Sequence, residues 1–215
     1  MKTKLIGVST VILLVAGLAM AQTSEVSSVN VVGYIKVPLV ANRVKLIGIQ
    51  FDSMTTTNPT VADVFGSEGL PDGTVVYLFR GNRYVAEEYY DGFGWFPGTN
   101  LLDRGEGCWI KSPQNYDLTL LGEVPGEDTT VYLRAGAQIM SYPFPVSIGV
   151  TSTVLNVNAP DGSVVYLHDG TNYQAYEYYE GFGWFPDTLR WKEGEGCWFM
   201  SPAATSMVET VPYSL

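Results

Sequence analysis

The 215-residue chain is 46% hydrophobic and 13% aromatic but only 16% charged, with 23 glycines and 12 prolines. Such a composition excludes a disordered chain, because there is ample apolar surface to bury, and it favours many short strands joined by turns. A net charge of −10 at pH 7 argues against nucleic acid or an anionic membrane surface as a partner, since like charges repel.

At the start of the chain, Lys2 and Lys4 precede an apolar run over residues 5–18 interrupted only by Ser9 and Thr10, and Ala19-Met20-Ala21 supplies the small residues that come before a cleavage site. Residues 1–21 are expected to be a bacterial Sec-type signal peptide cut after Ala21. The run is shorter than the roughly 20 residues that span a bilayer, so no stable membrane span is expected after processing. The destination is then outside the cytoplasm, whether extracellular, on the cell surface or periplasmic. Loss of Lys2 and Lys4 takes the net charge to about −12, which suits solubility outside the cell.

Residues 22–30 are polar and Ser-rich and are expected to be flexible. Val31-Val32-Gly33-Tyr34-Ile35-Lys36-Val37 reads as a strand, residues 46–51 as a second, and residues 61–65 as one helical turn. Strands over residues 74–80, 84–90 and 108–112 follow, separated by Asp72-Gly73, Gly81-Asn82 and Gly92-Phe93-Gly94, whose glycines suit turns. No helical period persists over a dozen residues.

The chain then repeats itself. Residues 72–113 align without a gap to residues 161–202, and roughly 26 of the 42 pairs are identical. The segment around Leu120 to Pro125 reads as a counterpart of Val31 to Val37, with a third echo at Met207 to Pro212. The expected fold is all-β, with two tandem homologous antiparallel barrel or sandwich domains at residues 31–117 and 118–215. Two readings of the first strand follow. It pairs within its own domain, or it is left over and adds to the sheet edge of another subunit, making Val31 to Val37 an assembly element.

Successive strand residues point to opposite faces. Tyr84, Ala86, Glu88 and Tyr90 match Tyr173, Ala175, Glu177 and Tyr179 identically, whereas Val85 faces Gln174 in the alignment and Glu87 faces Tyr176. The unchanging face is read as the inner one. Glu88 and Glu177 are then either ligand contacts or, more simply, structural acceptors for Tyr, Trp or backbone donors.

The loop Gly92-Phe93-Gly94-Trp95-Phe96-Pro97 recurs as Gly181-Phe182-Gly183-Trp184-Phe185-Pro186. Exposed, the rings of Tyr89, Trp95, Phe96, Tyr178, Trp184 and Phe185 offer stacking platforms for sugar faces; folded back, the tryptophans are core plugs. Cys108 and Cys197, each within Gly-Glu-Gly-Cys-Trp, are either bridged between the copies or two small buried hydrophobes. His168 is the single histidine and aligns with Phe79. No Ser-His-Asp triad, histidine-based zinc set or Walker loop is therefore written in the sequence, and no cofactor or metal is expected.

The order Gly122-Glu123-Val124-Pro125, Pro-Asp-Gly with Val-Val-Tyr-Leu, Gly-x-x-Tyr, an aromatic Gly-x-Gly-Trp loop, Gly-Glu-Gly-Cys-Trp and a final Pro212-Tyr213 resembles a group of exported tandem β-repeat proteins of bacteria. The resemblance covers most of the mature chain and implies export and β architecture, with no activity attached. The expectation is a secreted, non-catalytic structural or adhesive protein of the envelope, matrix or an extracellular filament, capable of self-association. The alternative is a carbohydrate-binding module that holds a glycan on the paired aromatic loops.

Overall fold

The computed structural model describes residues 31–215; the expected signal peptide and the polar segment 22–30 lie outside the described residues. The protein is all-β, as the short alternating runs and frequent turn residues require. Among the described residues no helix is long and apolar enough to cross a membrane.

The first part of the chain forms β1 (Val32–Leu39), β2 (Val44–Gly48), helix α1 (Val61–Phe65), β3 (Val75–Arg80), β4 (Arg83–Tyr90), β5 (Gly94–Phe96), β6 (Gly107–Lys111) and β7 (Tyr116–Glu123). The second forms β8 (Thr129–Leu133), β9 (Gly136–Ser141), β10 (Ile148–Gly149), a 3-10 turn, helix α2 (Leu155–Asn158), β11 (Val164–His168), β12 (Tyr173–Tyr179), β13 (Gly183–Phe185), β14 (Arg190–Trp191), β15 (Gly196–Ser201) and β16 (Thr205–Glu209). One antiparallel sheet runs β2-β6-β3-β4-β5 and the other β9-β15-β11-β12-β13, the same order built from aligned strands. Gly81 and Asn82 both take positive φ, of 55° and 62°, as the tight β3–β4 turn demands.

A separate hairpin-like pair closes each part. β1 lies antiparallel to β7, with Val37 opposite Leu118, and β8 lies antiparallel to β16, with Val131 opposite Met207. The counterpart of β1 is β8 rather than the segment around Leu120, which corrects that sequence expectation, and of the two readings of Val31 to Val37 the ladder with β7 is the pairing within its own part of the chain. The boundary drawn at residue 117 falls inside β7, whose Leu118 and Leu120 pack in the first core with Val37, Leu39 and Ile47.

Glu209 occupies in β16 the place that Leu120 holds in β7, and it is also buried. Its carboxylate accepts hydrogen bonds from the Val154 amide at 3.0 Å and the Tyr142 hydroxyl at 3.3 Å. Burial outweighs these bonds and raises its pKa above the ordinary 4.5. The folded chain thus holds this proton more tightly than the unfolded chain does. Stability rises as pH falls through the raised value, and the full ionisation cost is present at neutral pH. Glu209→Gln keeps an acceptor and removes the charge. Its melting temperature is expected to exceed wild type at neutral pH and to vary less as the solution is acidified; parallel profiles would show that Glu209 does not titrate on the way down.

The two five-stranded sheets meet through their outward faces around Leu46, Trp109 and Ile139. Phe79 lies 4.7 Å from Trp198 edge-on, and the aligned pair His168 and Trp109 lie 5.1 Å apart in the same manner. Backbone bonds repeat the relation: the Gly48 amide donates to the Gly194 carbonyl at 3.0 Å, and the Ser141 amide to the Gly105 carbonyl at 2.8 Å. A local pseudo-twofold axis therefore relates the contacts between the sheets. Arg104 adds an asymmetric tie, bonding Asp52 at 2.6 Å and the Pro143 carbonyl at 3.3 Å while its guanidinium sits 5.7 Å from the Phe144 ring centre.

Candidate functional site

The β4–β5 and β12–β13 loops concentrate the features shared by both aligned segments. In β4 the buried side chains are Glu87 and Tyr89, and in β12 they are Tyr176 and Tyr178. The face that differs between the copies is therefore the inner one, which reverses the sequence expectation. Core positions can change together because neighbours repack around them: Glu87 is satisfied on one oxygen by the Asn100 backbone and side-chain amides at 2.8 and 2.7 Å, while Tyr176 packs in the second core. The unchanged residues Tyr84, Ala86, Tyr90, Tyr173, Ala175 and Tyr179 are exposed.

Glu88 and Glu177 sit half-buried on that outer face and accept the hydroxyls of Tyr90 at 2.9 Å and Tyr179 at 2.8 Å. Each bond raises the pKa of its tyrosine, because the hydroxyl proton is held against a carboxylate. Both glutamates act as acceptors, but on the surface rather than inside.

Beneath each loop a tryptophan serves as a plug. Trp95 donates its indole N–H to the Gly66 carbonyl at 2.7 Å and lies among Phe65 and Tyr89; Trp184 donates to the Leu155 carbonyl at 3.1 Å and lies against Tyr178. Tyr89, Trp95, Tyr178 and Trp184 are all buried, so four of the six expected stacking residues have no free face. The rings join the two cores and fill space beneath the loops.

Phe96 and Phe185 are exposed as expected, at 73% and 74%. Phe93 and Phe182, not singled out from the sequence, are more exposed still, at 94% and 93%. Their signal was their place between two glycines: Gly92 and Gly94, like Gly181 and Gly183, take positive φ and throw the intervening ring outward. Asp72 fixes the first loop by accepting the Asp91 amide at 2.8 Å, and Asp161 fixes the second through the Glu180 amide at 2.8 Å. Each loop is thus a preorganised tip, a bare phenyl ring with carboxylates behind it.

The second tip also borders a cavity of about 360 Å³ lined by Thr151, Asn156, Tyr178, Phe182, Trp184 and Asp187. Both cysteines are free, Cys108 in the first core and Cys197 in the second, so the bridged reading falls. Burial raises both thiols, that of Cys197 to about 12, which leaves them protonated and unreactive at neutral pH. Glu106 pairs with Arg80 at 2.9 Å and Glu195 caps the Lys192 amide at 3.2 Å, both turn-stabilising roles. Comparison with protein-family models, curated proteins and solved structures finds no match.

Proposed function

We propose that the chain is an exported, non-catalytic structural or adhesive protein, a tandem β-repeat that presents the same aromatic tip twice. The observation that carries this reading is the identity of the exposed surface in the two copies. Tyr84, Glu88, Tyr90, Phe93 and Phe96 recur as Tyr173, Glu177, Tyr179, Phe182 and Phe185, as do the buried Tyr89 and Trp95 beneath them as Tyr178 and Trp184, while buried Glu87 gives way to Tyr176. Two equal, preorganised contacts on one rigid body raise overall attachment through effective concentration without new contacts. The double variant Phe93→Ser/Phe182→Ser is expected to fold with stability within about 0.5 kcal/mol of wild type and to lose most retention on isolated envelope or matrix material. Undiminished retention would refute the tips as the adhesive surface.

The cavity beside the second tip favours carbohydrate recognition as the second reading. Phe182 and an edge of Trp184 supply ring surface there, and Asn156, Thr151 and Asp187 supply hydrogen-bonding groups. Titration with soluble glycans, read through Trp184 fluorescence, separates the two: a saturable change abolished by Asn156→Ala supports this reading, and a flat response removes it.

A further inference from the structure

The ribbon of β1 and β7 leaves one long edge bare. Among the described residues β1 pairs with β7 alone. The Val124 amide donates to the Val31 carbonyl at 2.7 Å, and this sets the phase of the ladder: Gly33, Ile35, Val37 and Leu39 turn their N–H and C=O groups toward β7, and Val32, Tyr34 and Lys36 turn theirs away. Pro38, next in the outward set, has no N–H to expose, and its carbonyl accepts the Lys45 ammonium at 3.2 Å. Lys36 and Pro38 border an open cleft of about 610 Å³, shared with Lys192 and Glu193, so the bare side is not blocked at that end.

Other edges of the fold are guarded. β2 and β9 are each bridged to the opposing sheet, Ile47 to Glu195 and Met140 to Glu106, and β5 and β13 are only three residues long. In the second ribbon Val131 stands where Val37 does, so by the same count Asp128 stands where Tyr34 does and Thr210 where Leu121 does. Asp128 is turned to the Val211 amide at 3.0 Å, and β8 begins only at the next residue. The first ribbon has instead an apolar row on its outer face, with Tyr34 directly opposite Leu121 and Val32 beside it, all half or more exposed.

We propose that β1 pairs antiparallel with β1 of a second copy, Tyr34 opposite the partner's Tyr34, so that two ribbons become one four-stranded sheet about a twofold axis. The edge is self-complementary: in that register Val32 of each chain faces Lys36 of the other, and every outward N–H of the three residues meets a carbonyl. A shift of two residues one way carries Lys36 past the end of the partner's β1, and the other way sets Pro38, with no N–H, opposite Val32. The row of Leu121 and Tyr34 continues into the partner's Tyr34 and Leu121 and covers apolar surface on both chains. Charge would oppose a second copy of so acidic a chain, and on this strand it is missing. Residues 26–51 carry Lys36, Arg43 and Lys45 and no carboxylate, in a chain with 22 Asp and Glu, and the two Lys36 side chains lie roughly 14 Å apart in the proposed register. This inference goes beyond the adhesive reading and does not depend on it; its consequence there is a doubling of the tips on one body.

Sedimentation velocity over the micromolar range and cysteine trapping test it. Wild type is expected to pass from one chain to two as concentration rises and to stop there, since the twofold contact uses up both edges. Tyr34→Pro removes the central outward N–H and no bond to β7, and is expected to weaken the dimer at least about tenfold. Tyr34→Cys is expected to cross-link to its own copy on mild oxidation, whereas Lys36→Cys, whose copy lies beyond the roughly 7 Å reach of a disulfide, is not. The native Cys108 and Cys197 are buried and do not compete, and trapping decides the matter even if the proline variant is unfolded. A monomer at every concentration would leave the edge to a strand of another protein and overturns the proposal, as does a dimer unmoved by Tyr34→Pro or trapped equally well at both positions. Phe93→Ser/Phe182→Ser is expected to dimerise like wild type, so a missing dimer alongside tip-dependent envelope retention leaves the adhesive reading standing.

Discussion

Trp184→Ala is expected to destabilise the protein by about 3–5 kcal/mol, whereas Phe185→Ala, one residue along the same strand, is expected to change stability by no more than about 0.5 kcal/mol. Strand alternation separates the two outcomes. Trp184 is 3% exposed and Phe185 74% exposed. The Trp184 ring lies 5.5 Å from Tyr178 and 6.4 Å from Phe199, so removing it opens a cavity between the loop and the second core. It also strips the Leu155 carbonyl of its indole donor, which holds α2 against β13. Urea unfolding measures both variants. Acrylamide provides an independent check, since a buried indole is shielded and should resist quenching in wild type. A loss below about 1 kcal/mol for Trp184→Ala would mean that the loop does not depend on its plug.

The same alternation explains what could be read from the sequence and what could not. Turn residues gave β3, β4 and β6 to within a residue or so, and α1 was legible from the run ending at Phe65, since these depend on local chemistry. The face of β4 was not, because Tyr and Glu occur on both sides of it: Glu87 and Tyr89 point inward while Glu88 and Tyr90 point outward. Identity between the copies does not mark the core either, because it falls on exposed Tyr84 and Tyr90 as well as on buried Tyr89 and Trp95. The closing ladders were also hidden. Val37 finds Leu118, and Val131 finds Met207, across distances in sequence that no local pattern specifies. The cleft that brings Lys36 and Lys192 together was invisible for the same reason, as it exists only after both sheets have formed and docked.

That docking sets up the second large effect. Gly196→Ala and Gly48→Ala are each expected to cost roughly 1–3 kcal/mol or more, although glycine-to-alanine changes in strands are ordinarily favourable. A methyl on Gly196 would meet the Ile47 carbonyl, its carbon only 2.7 Å away, and one on Gly48 would lie 2.6 Å from the Glu195 carbonyl oxygen. Each obstacle is backbone from the opposing sheet, so no rotamer change relieves it. The sheets must separate, and Trp109 and Trp198, packed at the contact, are expected to become more accessible to acrylamide together with the loss of stability. Gly194 and Glu195 line a cleft beside this contact. Finding that Gly196→Ala melts like wild type would show that the sheets can part without loss.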